Sequence, residues 1–398
     1  MFFDEILEAA PDPIFGMGSV FQADPRPNKI SLMVGVFKDE HLQTALMPVV
    51  KSVKIATIAQ DELADYLPID GFPEFNQQIG GLIFGKALWE QNQSRIYAAQ
   101  TVGGTSALRL GAEFLVQEVG KKIYIPQPTW GNHRNIFTHA GFVVESLPYY
   151  SRELHQFDAE RYLQAVEKLE PNSVILLHAC CHNPTGSDPT FEVWKQISAL
   201  CKKKQILPFF DFAYQGFGKG IEEDAKIVRF FLEEGHEFLV AYSCSKNFSL
   251  YCQRVGALFS VSSSAATKLR VGSQIKCLIR ALYSNPPAHG AKIVANILKN
   301  PDTRASWEDE LHQMRKRITD MRQLLIHKFG AKSKKRDFSF LRNHNGMFSY
   351  LDLSKEQVQA LIEDYALYTL DSGRISIAGI THKNIDSIVE SIVAVCES

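Results

Sequence analysis

The segment Tyr242-Ser-Cys-Ser-Lys246-Asn-Phe-Ser-Leu-Tyr251-Cys-Gln-Arg254-Val-Gly256 places a lysine in a loop between two apolar runs, with an arginine eight residues later. A lysine amine can form an imine with an aldehyde-bearing cofactor when its surroundings favour the neutral form. Taken alone, Lys246 would be an exposed surface lysine. Its neighbours change that reading, because Ser243, Ser245 and Arg254 together offer hydroxyl and guanidinium donors suited to a phosphate.

Other residues could serve the same site, and each also has a plainer reading. Asp211 follows an almost wholly apolar run, where a carboxylate is costly unless a cation such as a pyridinium nitrogen compensates it; it could equally cap a helix or pair with a structural arginine. Tyr214 can donate a phenolic hydroxyl, or simply pack. Gly103-Gly104-Thr105 precedes an amphipathic helix, so free backbone N–H groups and the helix dipole can grip a phosphate; a turn with a threonine N-cap reads as well. Asn183-Pro-Thr-Gly186 fits a tight turn, and Trp130 ordinary core.

The elements that must position these residues are legible as apolar runs. Lys122–Ile125, Val143–Leu147, Val174–Leu177, Ile206–Phe210 and Phe238–Tyr242 read as buried strands. Helical patterns lie between several of them, among them Ser106–Val119 and Phe191–Lys203. The alternation predicts a mostly parallel sheet covered on both faces, with ligands bound beyond the carboxyl ends of its strands. Three of those ends lead into His182-Asn183-Pro184-Thr185-Gly186, Asp211-Phe-Ala-Tyr214 and Ser243-Cys-Ser-Lys246. After about residue 300 the pattern changes to a long charged helix, Trp307–Phe329, and a strand pair near Met347–Leu351 and Arg374–Ile377. This predicts a smaller second lobe, onto which the proline-containing N-terminal segment wraps.

Composition restricts the function classes. The chain has 398 residues, 45% hydrophobic and 22% charged, with a formal net charge of −1, which gives no global reason to expect nucleic acid or an anionic membrane as partner. The basic run Lys202–Lys204 and the cluster Lys332, Lys334, Lys335, Arg336 read as solvated helix ends or loops. No run of roughly 18 apolar residues suggests a membrane span. Seven cysteines form no dense disulfide framework, and Cys180 and Cys181 are adjacent rather than in a Cys-x-x-Cys pair. Reduced thiols, no metal site and a cytoplasmic location are therefore expected. The start, MFFDEILEAAPDP, resembles neither a signal nor a transit peptide.

The order of motifs resembles the aspartate/aromatic aminotransferases of the class I, fold-type I pyridoxal-phosphate enzymes. The likeness runs along nearly the whole chain: Val34-Gly35, Asp65-Tyr66-Leu-Pro-Ile-Asp-Gly71, the Gly-Gly-Thr turn, Pro128-Thr-Trp130-Gly-Asn-His133, His178-Ala-Cys-Cys-His-Asn183-Pro-Thr-Gly186, Asp211-Phe-Ala-Tyr214-Gln-Gly, Ser-Lys246-Asn-Phe, Arg280-Ala-Leu-Tyr-Ser-Asn-Pro-Pro and Ser372-Gly-Arg374. It implies an α/β fold with a large cofactor domain over residues 46–300, built on a mostly parallel mixed sheet flanked by helices. A smaller α/β domain would comprise residues 1–45 and 301–398.

The resemblance also implies roles. Lys246 would be Schiff-base partner and proton shuttle, Asp211 counter-ion of the pyridine nitrogen, and Asn183 with Tyr214 hydrogen-bond partners of the phenolic oxygen. Trp130 would stack on the ring. The phosphate would be held by Gly103, Gly104, Thr105, Ser243, Ser245 and Arg254, with Tyr66 reaching it from the neighbouring subunit of a homodimer. Gly35, Trp130 and Asn183 would line the substrate side. Arg374 would clamp the substrate α-carboxylate and Arg280, from the other subunit, a side-chain carboxylate.

Two arginine forks select a dicarboxylic amino acid by charge and length. The expected reaction is ping-pong transfer of the amino group from aspartate to 2-oxoglutarate, giving oxaloacetate and glutamate by way of pyridoxamine phosphate. Val36, Thr105 and Asn285 lean towards the aspartate-preferring pattern. Ser249 stands where the lysine loop of the family usually has glycine, and Phe37 and Lys38 occupy a segment where tyrosine or arginine is common; Phe37, near the substrate entrance, leaves the specificity pocket open to a second reading, aromatic or dual specificity. A third reading is a catalytically silent cofactor-binding regulator, which would need a lost catalytic group.

Overall fold

In a computed structural model of the protein, residues 1–8, 15–60 and 65–398 are described. The stretch 9–14 of the N-terminal segment and residues 61–64 lie outside them. Seven strands form the central sheet, in the order Ile96–Val102, Val255–Val261, Phe238–Ser243, Leu207–Phe212, Val174–His178, Lys122–Gln127 and Val143–Pro148. The five strands read from the sequence lie side by side and parallel. Val255–Val261 runs antiparallel to both its neighbours, so the sheet is mixed.

Alternate side chains on each strand leave opposite faces of the sheet, and both faces are covered. Phe210, Val240 and Phe259 join one buried apolar cluster, whereas Phe209, Leu239 and Leu258 join another. Burial on both sides explains why these strands are continuous apolar runs and not alternating ones. Each fully buried Phe or Leu contributes about 1.5–3 kcal/mol relative to exposure. That packing fixes where the strand ends deliver their polar residues.

Two boundaries differ from the sequence reading in a way that matters for the site. The helix expected over Ser106–Val119 spans Gly103–Glu118, so the glycines form its first turn. Its N-cap is Val102, which makes no side-chain cap, and Thr105 lies inside the helix and does not cap it. Glycine allows this because Gly103 enters with φ +80°. The strand expected to end at Phe210 continues to Phe212, so Asp211 is part of it and pairs in register with His178.

The long helix spans Pro301–Lys332, capped by Asn300, whose side chain accepts from the Asp302 and Thr303 N–H groups. Trp307, Leu311, Met314, Ile318, Met321, Leu325 and Phe329 make a buried stripe along it. Beyond it, Phe348–Tyr350 and Arg374–Ser376 pair antiparallel, Tyr350 opposite Arg374. The N-terminal segment pairs with the C-terminal part, Ile30–Ser31 running parallel to Leu367–Tyr368. Among the described residues no helix is long and apolar enough to cross a membrane.

Candidate active site

The site is built where the carboxyl ends of the parallel strands meet the Gly103–Glu118 helix and the Arg374–Ser376 strand. Lys246 follows the Phe238–Ser243 strand and is half-buried. Burial pushes its ammonium pKa down from 10.5 to about 8; Asp211 opposes this, and Arg254 and Arg374 add to it. A substantial fraction of the amine is therefore neutral near pH 8. Its Nζ lies 4.8 Å from the centroid of the Tyr214 ring.

Asp211 is held by a chain of polar groups. Its Oδ2 is hydrogen-bonded to His133 Nε2 at 3.0 Å; His133 Nδ1 meets Thr129 Oγ1 at 2.9 Å, and the same hydroxyl meets His178 Nε2 at 3.1 Å. Burial would raise the Asp211 pKa, but the hydrogen bond and charge of His133, with His178 and Lys246, outweigh it and leave it below the ordinary value. Burial pushes His178 down to about 3, so that ring is neutral. The result is an ionised carboxylate in a low-dielectric setting. Neither histidine nor Thr129 had an assigned role in the sequence; only their place inside quoted motifs hinted at one.

Arg254, Ser245, Ser243 and the glycines at the start of the Gly103–Glu118 helix lie close together. Arg254, held at φ +54°, donates Nη1 to Ser245 Oγ at 3.3 Å and to the Tyr251 carbonyl at 3.0 Å. A Cβ added to Gly103 would stand 2.6 Å from Arg254 Nη2, and one added to Gly104 2.8 Å from Ser243 Cβ. Gly256, which had no role in the sequence reading, backs the same turn: its added Cβ would lie 2.6 Å from the Gly103 carbonyl carbon and 2.9 Å from the Gly104 nitrogen. Three side-chain-free positions thus keep open a cradle of helix N–H groups, hydroxyls and a guanidinium. Such a cradle suits a phosphate.

Arg374 is 2% exposed. Its Nη1 donates to Asn183 Oδ1 at 3.1 Å, its Nη2 to the Met33 carbonyl, and its guanidinium lies 4.1 Å from the Phe348 ring centroid. Its Nε is buried without a hydrogen-bond partner. Burial lowers its pKa to about 10, so it stays charged near neutrality. A buried, incompletely paired guanidinium is what an anionic substrate group would satisfy. Gly35 sits against the same Phe348 ring, its added Cβ falling 2.6 Å from Cζ. Trp130 packs edge-on to His133, with centroids 5.2 Å apart.

Tyr66 and Arg280 are not brought to this cluster within one chain. Tyr66 is 86% exposed, and Arg280, also exposed, touches Ser284 just beyond the end of its own helix. Tyr251 is a residue the sequence reading quoted without a role. Its hydroxyl accepts the Phe37 N–H at 2.8 Å and so ties the segment after Gly35 to the lysine loop.

Pyridoxal phosphate fits this donor set. An open cradle of phosphate donors, a half-buried ionised carboxylate and a half-buried amine shifted towards neutrality match its phosphate, ring nitrogen and aldehyde in turn. The comparisons agree. Residues 27–392 match the family described as aminotransferase class I and II. The chain is 45% identical to the aspartate aminotransferase of Escherichia coli strain K12 over 394 residues, 99% of this chain and 100% of that one. In three dimensions it is similar to an aromatic-amino-acid aminotransferase from Burkholderia pseudomallei covalently bound to pyridoxal phosphate, with TM-score 0.96, 41% identity and 99% of each chain covered. It is also similar to the aspartate aminotransferase of Saccharomyces cerevisiae cytoplasm, with TM-score 0.95, 33% identity and coverage of 99% and 98%. The chain therefore belongs to the class I and II aminotransferases, in their aspartate/aromatic branch, and its cofactor is pyridoxal phosphate.

Proposed function

We propose that the protein transfers the amino group of L-aspartate or L-glutamate to a 2-oxo acid, in two half-reactions at the site around Lys246. The observation that carries this reading is Arg374, a buried guanidinium with an unpartnered Nε beside Asn183 and on the same side as Lys246 and Tyr214. When bound, pyridoxal phosphate supplies an aldehyde that takes up the amino group and an electron-poor ring that disperses negative charge from Cα.

The chain's own residues would do the rest. Lys246 anchors the cofactor through its amine and, once free and neutral, carries the proton from the substrate Cα. Asp211, kept ionised by His133, keeps a proton on the ring nitrogen. Asn183 and Tyr214 donate hydrogen bonds at the phenolic oxygen, and Trp130 covers the ring. Gly103, Gly104, Thr105, Ser243, Ser245 and Arg254 hold the phosphate. Arg374 orients the α-carboxylate so that the Cα proton faces the amine, with Gly35 lining that side.

A homodimer with shared sites supports the remaining assignments, Tyr66 to the phosphate and Arg280 to a side-chain carboxylate. Both are exposed, as residues that complete a partner's site must be in a single chain. Exposed apolar side chains at Phe2, Phe3, Leu7, Ile55 and Leu269 are in keeping with self-association. The division into a large domain, residues 46–300, and a small one, 1–45 with 301–398, belongs to the same proposal, as does a cytoplasmic location. Aromatic or dual specificity is a second reading, favoured by the likeness to the Burkholderia enzyme. A spectroscopic panel of half-reactions decides: aspartate and glutamate should convert the cofactor with higher second-order rate constants than tyrosine and phenylalanine. The reverse order would overturn the dicarboxylate preference, and a spectrum indifferent to every amino acid would overturn the enzyme reading.

A further inference from the structure

The adjacent cysteines 180 and 181 take no part in the chemistry above, yet they sit in the loop that ends at Asn183. Both are buried. Their sulfurs and a carboxylate oxygen of Asp224, from the Ile221–Glu233 helix, all lie within 4.8 Å of one another. Asp224 is fixed in place: Oδ2 accepts the Gly216 and Gly218 N–H groups at 2.8 and 2.9 Å, and Oδ1 accepts that of Lys219 at 2.7 Å.

The space between these donors is kept clear by a glycine. A Cβ on Gly218 would occupy a point 2.6 Å from Asp224 Oδ1 and 3.1 Å from Cys181 Sγ. Gly218, Cys180 and Asp224 also line a cleft of about 700 Å³ that reaches solvent. None of the residues assigned to cofactor or substrate lines it. Asp188, a second, half-buried carboxylate in the cleft wall, accepts the Cys181 and His182 N–H groups at 2.9 and 2.8 Å. Cys181 itself is held at φ +53°. Two thiols and a carboxylate on a rigid frame, with an open position towards solvent, are the donor set of a thiophilic divalent cation.

We propose that Cys180, Cys181 and Asp224 form a zinc-binding site, separate from the amino-transfer site and placed behind the loop that carries Asn183. Tetrahedral zinc with zinc–sulfur bonds of about 2.3 Å sets two sulfurs about 3.8 Å apart, so donors that lie within 4.8 Å of one another close on an ion by moving together. Binding converts both thiols to thiolates: Zn²⁺ replaces two protons, which leave to solvent, and water from the cleft fills the fourth position. Cys181 is two residues from Asn183, whose side-chain oxygen takes the Arg374 Nη1 hydrogen bond. Closing the sulfurs on an ion pulls on that loop, so occupancy slows turnover.

The test uses the cofactor-loaded protein carrying Cys252→Ser and Cys277→Ser, which removes the exposed thiols. It is titrated with Zn²⁺ under reducing conditions without amino acid, by equilibrium dialysis with metal analysis. The expected result is one saturable equivalent per chain, release of about two protons in weakly buffered solution, and a fall in transaminase rate that a chelator reverses. Co²⁺ should give a thiolate-to-cobalt charge-transfer band. Cys180→Ala and Cys181→Ala should each abolish the band and the stoichiometric binding while retaining turnover in metal-free buffer. Should Cys181→Ala fail to fold, Cys180→Ala alone decides. Absence of stoichiometric binding, or binding that survives in Cys180→Ala, would overturn the proposal, whatever the enzyme's substrate proves to be.

Discussion

His133 Nε2 and Asp211 Oδ2 are 3.0 Å apart, and this bond settles the charge state of the carboxylate in the site. Burial alone would drive Asp211 towards its neutral acid, and a neutral acid could not hold a proton on a bound ring nitrogen. The histidine reverses the balance.

Replacing His133 with Phe removes that bond and leaves a buried acceptor unsatisfied, at a cost of about 1–3 kcal/mol in unfolding free energy near neutrality. Asp211 has a depressed folded pKa, so its contribution is present above the ordinary value of 3.8 and is lost as pH falls through the folded value. The stability gap between wild type and His133→Phe should therefore be full at pH 6 and shrink below about pH 4. Denaturant titrations across that range check it, and a gap that widens on acidification would contradict it.

Lys246 gives a second pH signature. Its pKa is depressed to about 8 by burial, so in the folded protein the amine is mostly neutral above pH 8, while in the unfolded chain it stays charged up to about 10.5. The cofactor-free protein should capture pyridoxal phosphate with a rate that rises through about pH 8 and then levels. By linkage, stability from this group is complete above 10.5 and falls away as pH drops through 8. A capture rate still climbing between pH 9 and 10.5 would show an ordinary, solvated lysine.

Arg374→Lys keeps the charge but loses the planar fork and the Asn183 contact. Charge-assisted hydrogen bonds are worth about 1.5–3 kcal/mol, so KM for the amino acid should rise roughly ten- to a hundredfold. An unchanged KM would remove Arg374 from carboxylate recognition.

Arg280→Val tests specificity. Loss of one partner of a desolvated charge pair costs about 2–5 kcal/mol, so kcat/KM for aspartate should fall by about thirtyfold or more. That for phenylalanine should change only a few-fold. Equal losses for both substrates would mean that Arg280 does not face the side chain.

Much of this was legible along the chain because the buried strands declare themselves as apolar runs and their polar ends follow in sequence. Asp211, Asn183 and Lys246 each stand at such an end, and the sheet brings them together. The direction of Val255–Val261 was not legible: a strand buried on both faces has the same pattern whichever way it runs. The chain from Asp211 through His133 and Thr129 to His178 joins residues 78 and 49 positions apart. Its members are buried or half-buried polar groups whose pairing exists only after folding. The Cys180–Asp224 juxtaposition is hidden for the same reason, since the carboxylate arrives from another helix.

The most direct test of the amine at the centre of this account is a single-turnover half-reaction of purified Lys246→Ala, loaded with pyridoxal phosphate and mixed with glutamate. Removing the proton carrier should slow the conversion by about 10²- to 10⁴-fold or more relative to wild type, with glutamate still binding. Conversion at the wild-type rate would contradict the assignment of Lys246 as the proton-transferring group.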